Sequence, residues 1–134
     1  MALDMYAEEL IQHYEHPSNK RKIENATIVM PEENISCGDV ITVYLKLNGD
    51  KIEDVSFDGS GCVISMGSAS MLTDSLKGKT LEQLEKMKYQ DLLKVINIDP
   101  GPVRMHCATL SLRAFKKAAF AHQHKPIDTE TKEL

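Results

Sequence analysis

The chain has 134 residues, 42% apolar and 27% charged, with a formal net charge of −4. That suffices for one domain able to bury roughly two-thirds of its unfolded surface, so no metal is needed merely to fold. The apolar fraction excludes a disordered chain, the acidic balance argues against a nucleic-acid footprint, and no apolar run approaches the roughly 20 residues of a membrane span. With no signal-peptide pattern either, a cytoplasmic location is expected.

Tyr6, Leu10 and Tyr14, with Ile11 beside them, recur at helical spacing and predict a short helix over residues 4–15. His16-Pro17 ends it, because the residue before proline is pushed out of the helical region. A first strand is expected over 26–31, followed by a polar turn from Glu32 to Ser36. Val40 to Leu47 alternates cleanly, with Ile41, Val43, Leu45 and Leu47 on one face and Thr42, Tyr44 and Lys46 on the other. Asn48-Gly49 supplies residues that tolerate positive φ in a tight hairpin. The returning strand runs from Ile52 to Phe57, and the broken phase between Ile52 and Val55 predicts a bulge or a late start.

Beyond Cys62 the period changes to helical, with Ala69, Leu72 and Leu76 on one face and Lys77-Gly78 as a terminator. Thr80-Leu81-Glu82-Gln83 is a capping box for a short helix, and another is expected over 89–96. The last helix, over 104–122, aligns Cys107, Leu110, Ala114, Ala118 and Ala121, with basic residues opposite. Lys20-Arg21-Lys22 and the Arg113/Lys116/Lys117 set are candidate patches for an acidic partner, although most charge runs are solvated faces. The fold class is therefore α+β: a three-stranded antiparallel sheet packed by an N-terminal helix and several C-terminal helices. Residues 1–124 are expected to form a single domain and 125–134 a mobile polar tail.

Three cysteines stand in three separate punctuated contexts. An odd count in a chain of this kind points to metal binding or chemistry rather than disulfides. In Cys37-Gly38-Asp39 a thiol and a carboxylate two residues apart share a face of extended backbone, and both are zinc ligand types. Taken alone, the tripeptide is equally a turn with a buried cysteine and a capping aspartate. Gly59-Ser60-Gly61-Cys62 comes where strand gives way to helix, and the partial positive charge of a helix start favours a thiolate. A phosphate-binding loop is excluded, since no Lys-Ser/Thr pair follows the glycines. His106-Cys107 comes after Pro100-Gly101-Pro102, and both residues can face one site only at a frayed first turn. His106 gains a functional reading from that cysteine, whereas His13, His16, His122 and His124 have no comparable context. Three thiols, a carboxylate and an imidazole suit zinc or a small iron–sulfur cluster.

At these residues the chain resembles the U-type iron–sulfur cluster assembly scaffolds, the IscU/SufU/NifU N-terminal family. The likeness spans about residues 4–122 and rests on Tyr14 to Asn19, Cys37-Gly38-Asp39, the stretch from Gly59 to Ser70, and Val103 to Leu110. It implies the same sheet-and-helix fold and a site of Cys37, Asp39, Cys62 and Cys107 with His106 nearby. It also implies Cys107 as the candidate persulfide acceptor, together with Cys62 and Cys37. Such scaffolds receive sulfur from a cysteine desulfurase, assemble a 2Fe-2S cluster with iron, and pass it to apo iron–sulfur proteins. A frataxin-like protein or an Hsp70-type chaperone is a further implied partner. The chaperone-recognition run of IscU, Leu-Pro-Pro-Val-Lys, survives only as Gly101-Pro102-Val103-Arg104.

Features of two subfamilies mix here. Cys107 to Ser111 and the Ser68 to Met71 region resemble SufU, whereas the short connection before Cys107 and the histidine at 106 resemble IscU. The leading expectation is a scaffold or carrier, because a fourth oxygen or nitrogen ligand holds a cluster less firmly than a fourth thiolate. The alternative is a SufU-like zinc-dependent sulfurtransferase that accepts persulfide, and the third reading is a zinc-stabilised structural domain.

Overall fold

The sheet is organised around one tight hairpin. β2 (Asp39–Asn48) and β3 (Lys51–Ser60) run antiparallel on either side of it, and β1 (Ile28–Asn34) pairs with the other edge of β2, giving the order β1-β2-β3. The structure, a computed structural model, describes residues 3–134, with side chains from Glu8 onward. Asn48 pairs with Lys51, so the turn residues are Gly49 and Asp50, one position later than expected. Gly49 takes the first turn position at φ +66°, where a side chain would be strained. The register slips between Lys46 and Leu47, opposite Asp54 and Ile52, so Glu53 is the extra residue of a bulge. That bulge accounts for the broken phase of the returning strand. Tyr44, on the opposite face from Ile41, Val43 and Leu45, is buried as well.

Six helices complete the described residues: α1 (Leu3–Glu15), α2 (Val63–Leu76), α3 (Leu81–Glu85), α4 (Tyr89–Ile96), α5 (Gly101–His122) and α6 (Thr129–Lys132). Ile41, Val43, Leu45, Val55 and Phe57 form the inner sheet face and share one core with Leu72 and Leu76 of α2 and Leu110, Ala114 and Phe115 of α5. Among the described residues no helix is long and apolar enough to cross a membrane.

Of the stripe predicted for α1, Leu10 is buried, Ile11 and Tyr14 are exposed, and the Tyr6 side chain lies outside the described residues. α1 approaches α2 closely at Gly67, where an added Cβ would stand 2.7 Å from the Leu10 carbonyl oxygen and 2.9 Å from Leu10 Cδ1. Gly67→Ala is expected to destabilise the fold by about 1–3 kcal/mol through this overpacking. An unchanged denaturation midpoint would contradict the tight crossing.

α5 starts three residues earlier than expected, because Pro102 is tolerated in the first turn, where its missing N–H would have no partner. Its basic face is not free. Lys116 is 1% exposed and donates to the Met87 carbonyl oxygen, and burial pushes its pKa down. Arg113 and Lys117 both pair with Glu32 of β1. Ala121, assigned to the buried stripe, is exposed. The stretch after Lys125, polar in composition, carries α6 and returns to the body, with Asp128 capping α6 and Thr131 and Leu134 buried.

Candidate functional site

Strand pairing brings two of the three cysteine contexts together. β1 ends at Asn34, opposite Asp39, so Ile35 to Gly38 form a four-residue loop. Gly38 sits at φ +74° and its N–H donates to the Asn34 carbonyl oxygen at 2.9 Å, which closes the turn. Cys37 is thereby carried on an exposed loop, while Asp39, the first residue of β2, is only 3% exposed.

Val40 of β2 pairs with Ser60 of β3, so the end of β3 delivers Cys62 beside Asp39. Cys62 is the N-cap of α2, and its sulfur accepts from the Ser65 N–H at 3.4 Å. Its own N–H donates to Asp39 Oδ1 at 3.2 Å, and its Sγ lies 3.8 Å from Asp39 Oδ2. Gly61 is required for this approach, since an added Cβ would stand 2.6 Å from Ser65 Oγ and 2.8 Å from Asp39 Oδ1.

α5 lies across β1 and supplies Cys107, which is 1% exposed, with Sγ 3.1 Å from Cys37 Sγ. Burial pushes the Cys107 thiol up to about 12, and the neighbouring Cys37 and Cys62 sulfurs add to the rise. Without metal, Cys107 is therefore a neutral thiol at ordinary pH. Ligand atoms of Cys37, Asp39 and Cys107 all lie within 4.8 Å of one another. Cys62 stands outside this trio, with its Sγ 3.8 Å from Asp39 Oδ2.

His106 is placed differently from the expectation. Because α5 begins at Gly101, residues 106 and 107 lie in its regular second turn and point about 100° apart. His106 is exposed, and its Nδ1 donates to the Leu134 main-chain oxygen at 3.1 Å, leaving Nε2 as the ring's acceptor.

One residue at the site went unread in the sequence. Asn34 is 7% exposed, with Nδ2 at 2.9 Å from Cys37 Sγ and 3.8 Å from Cys107 Sγ. Its signal is an asparagine at a strand end three residues before a cysteine, where a turn-forming side chain is the usual reading.

The donor set fits a thiophilic metal. Three thiols and one carboxylate are zinc donor types, and thiolates are the ligands of iron–sulfur clusters. Two sulfurs about 2.3 Å from a tetrahedral zinc stand roughly 3.8 Å apart. The Cys37 loop would have to yield by less than about 1 Å, which an exposed loop beside glycine permits.

The NifU-like N-terminal domain family matches residues 5–129. The zinc-dependent sulfurtransferase SufU of Bacillus subtilis is 37% identical over 130 residues, covering 84% of this chain and 88% of that protein. The iron–sulfur cluster assembly scaffold protein IscU 1 of Archaeoglobus fulgidus is 34% identical over 114 residues, covering 85% of this chain and 74% of that protein. The crystal structure of the N-terminal part of a nitrogen-fixing NifU-like protein from Brucella abortus superposes with a TM-score of 0.78, covering 92% of this chain and 97% of that one. At 16% identity this likeness bears on the fold alone.

Proposed function

The chain belongs to the NifU-like N-terminal domain family, and from that premise we propose that it is an iron–sulfur cluster assembly scaffold. It receives sulfur from a cysteine desulfurase, assembles a 2Fe-2S cluster as cargo, and transfers the cluster to apo-proteins. The observation that carries this reading is the depth order of the thiols: Cys37 exposed on a loop, Cys62 half-buried at a helix start, Cys107 buried. A closed structural site has no use for an exposed thiol, whereas a site that loads and unloads cargo does. Asp39 supplies the weaker oxygen ligand, and Nε2 of His106 is a further candidate donor as cargo enters or leaves. The proposed location is the cytoplasm, with a frataxin-like protein or an Hsp70-type chaperone as further partners.

The order of burial also sets the order of sulfur transfer. A Cys37 thiolate attacks the terminal sulfur of the desulfurase persulfide, forming a new S–S bond while the desulfurase cysteine leaves as thiolate. The exchange needs no external oxidant or reductant. Cys107, the expected persulfide acceptor, is then reached from Cys37 across 3.1 Å: its sulfur takes the terminal sulfur, Cys37 is the leaving group, and the Cys107 thiol proton passes to the departing Cys37 thiolate. After anaerobic incubation with a desulfurase and cysteine, mass spectrometry is expected to find extra sulfur on Cys107→Ser, held at Cys37, and almost none on Cys37→Ser. Full loading of Cys37→Ser would overturn this order.

A zinc-dependent sulfurtransferase is the second reading, favoured by the 37% identity to the Bacillus protein. Cys37, Asp39, Cys62 and Cys107 would then hold zinc, whose charge stabilises thiolates at neutral pH. Protein isolated without oxygen separates the two. Brown protein with iron and sulfide supports the scaffold, and colourless protein with tight zinc that accelerates a desulfurase supports the sulfurtransferase.

A further inference from the structure

Asn34 lies where the two closest sulfurs meet. Among the described residues Cys37 Sγ has two side-chain partners, the Asn34 amide at 2.9 Å and Cys107 Sγ at 3.1 Å, and the rest of its loop is exposed. The amide nitrogen also lies 3.8 Å from Cys107 Sγ. The amide NH2 is a pure donor that faces both sulfurs, and a thiolate can only accept. The hydrogen bonds therefore gain most when both cysteines are deprotonated, the state in which they bind metal.

We propose that Asn34 is a positioning residue of the metal site, its side-chain amide donating to the Cys37 sulfur at close range and facing the Cys107 sulfur as well. It holds the exposed sulfur against the buried one and withdraws electron density from both. The inference rests on the reading of these cysteines as a metal site. It is separable from hairpin closure, because the bond from the Gly38 N–H goes to the main-chain oxygen of Asn34, which any residue provides. Only the side chain reaches the sulfurs. Donors of this kind orient ligands and set how strongly sulfur gives charge to the metal.

The test uses the full chain loaded with zinc or with cobalt(II), whose sulfur-to-metal charge-transfer band reports on the thiolates. Asn34→Leu keeps much of the volume but presents neither a donor nor a new charge or ligand. It is expected to weaken zinc binding by about 10–100-fold. Asn34→Ala removes the donor together with the bulk and carries the test if the leucine variant does not fold. In either variant the cobalt band should move to longer wavelength, because sulfur lone pairs no longer stabilised by N–H rise in energy. Weaker binding with an unmoved band would reduce Asn34 to a packing role and overturn the inference, as would unaltered affinity. If the unaltered protein gives no sulfur–cobalt band, the metal-site reading itself fails and this inference falls with it, so the two failures are distinct.

Discussion

Cys107→Ser is expected to lose stable metal and cluster binding altogether, the largest effect of any single substitution at the site. Cys107 is 1% exposed and faces the Cys37 sulfur at 3.1 Å, so its sulfur is the most deeply buried of the proposed ligands. A serine hydroxyl in that position ionises far less readily than a thiol and is a poor donor to a thiophilic metal. Cys37→Ser and Cys62→Ser should weaken binding sharply too, while the fold persists in all three, since the core is formed by other residues. The Cys107 thiol, pushed up to about 12 chiefly by burial, also fixes the pH dependence. Below that value it carries a proton that the metal must displace, so zinc affinity should rise with pH, by about tenfold per unit for each proton released. Isothermal titration in buffers of different ionisation heat counts those protons. Unchanged metal stoichiometry and affinity in all three variants would remove the site.

Asp39→Ala is expected to act in the opposite direction on cargo. A carboxylate is a harder, more exchangeable ligand than the thiolates around it, and incoming thiols and water displace it first. A reconstituted cluster should therefore persist several times longer and move more slowly to an apo-ferredoxin, on the order of tenfold by analogy with other changes around metal ligands. The substitution also has a structural cost. Asp39 is 3% exposed and its Oδ1 accepts the Cys62 N–H, so its loss orphans a donor at the start of α2 and should cost about 1–3 kcal/mol. Cluster lifetime and transfer are therefore compared at a temperature where both proteins are folded. Transfer at the unaltered rate with unaltered lifetime would count against Asp39 as the exchangeable ligand.

How far the sequence was legible depends on how local each signal was. Alternation in Val40 to Leu47 and the capping box at Thr80 to Gln83 are written into neighbouring residues, and the strand and the cap appear where expected. The broken phase at Ile52 and Val55 was enough to foresee the bulge. Burial set by distant segments was harder to read. Lys116 sits at a helical position that its charge marks as solvent-facing, yet the Met87 carbonyl gives its ammonium a buried partner 29 residues away in sequence. Asn34 was unreadable for the same reason, since Cys107 lies 73 residues away. The start of α5 was misplaced because Pro100 to Pro102 signals a break and a first turn equally well. That error moved His106 from a frayed turn into regular helix.

Anaerobic reconstitution of the unaltered protein with iron, cysteine and a desulfurase, followed by incubation with an apo-ferredoxin, tests the central claim most directly. A scaffold should take up equal amounts of iron and sulfide, show the absorption of a two-iron two-sulfide cluster, and lose it as the ferredoxin gains its own spectrum. Protein that stays colourless, keeps a stoichiometric zinc against excess iron and sulfide, and passes nothing to the ferredoxin would contradict it.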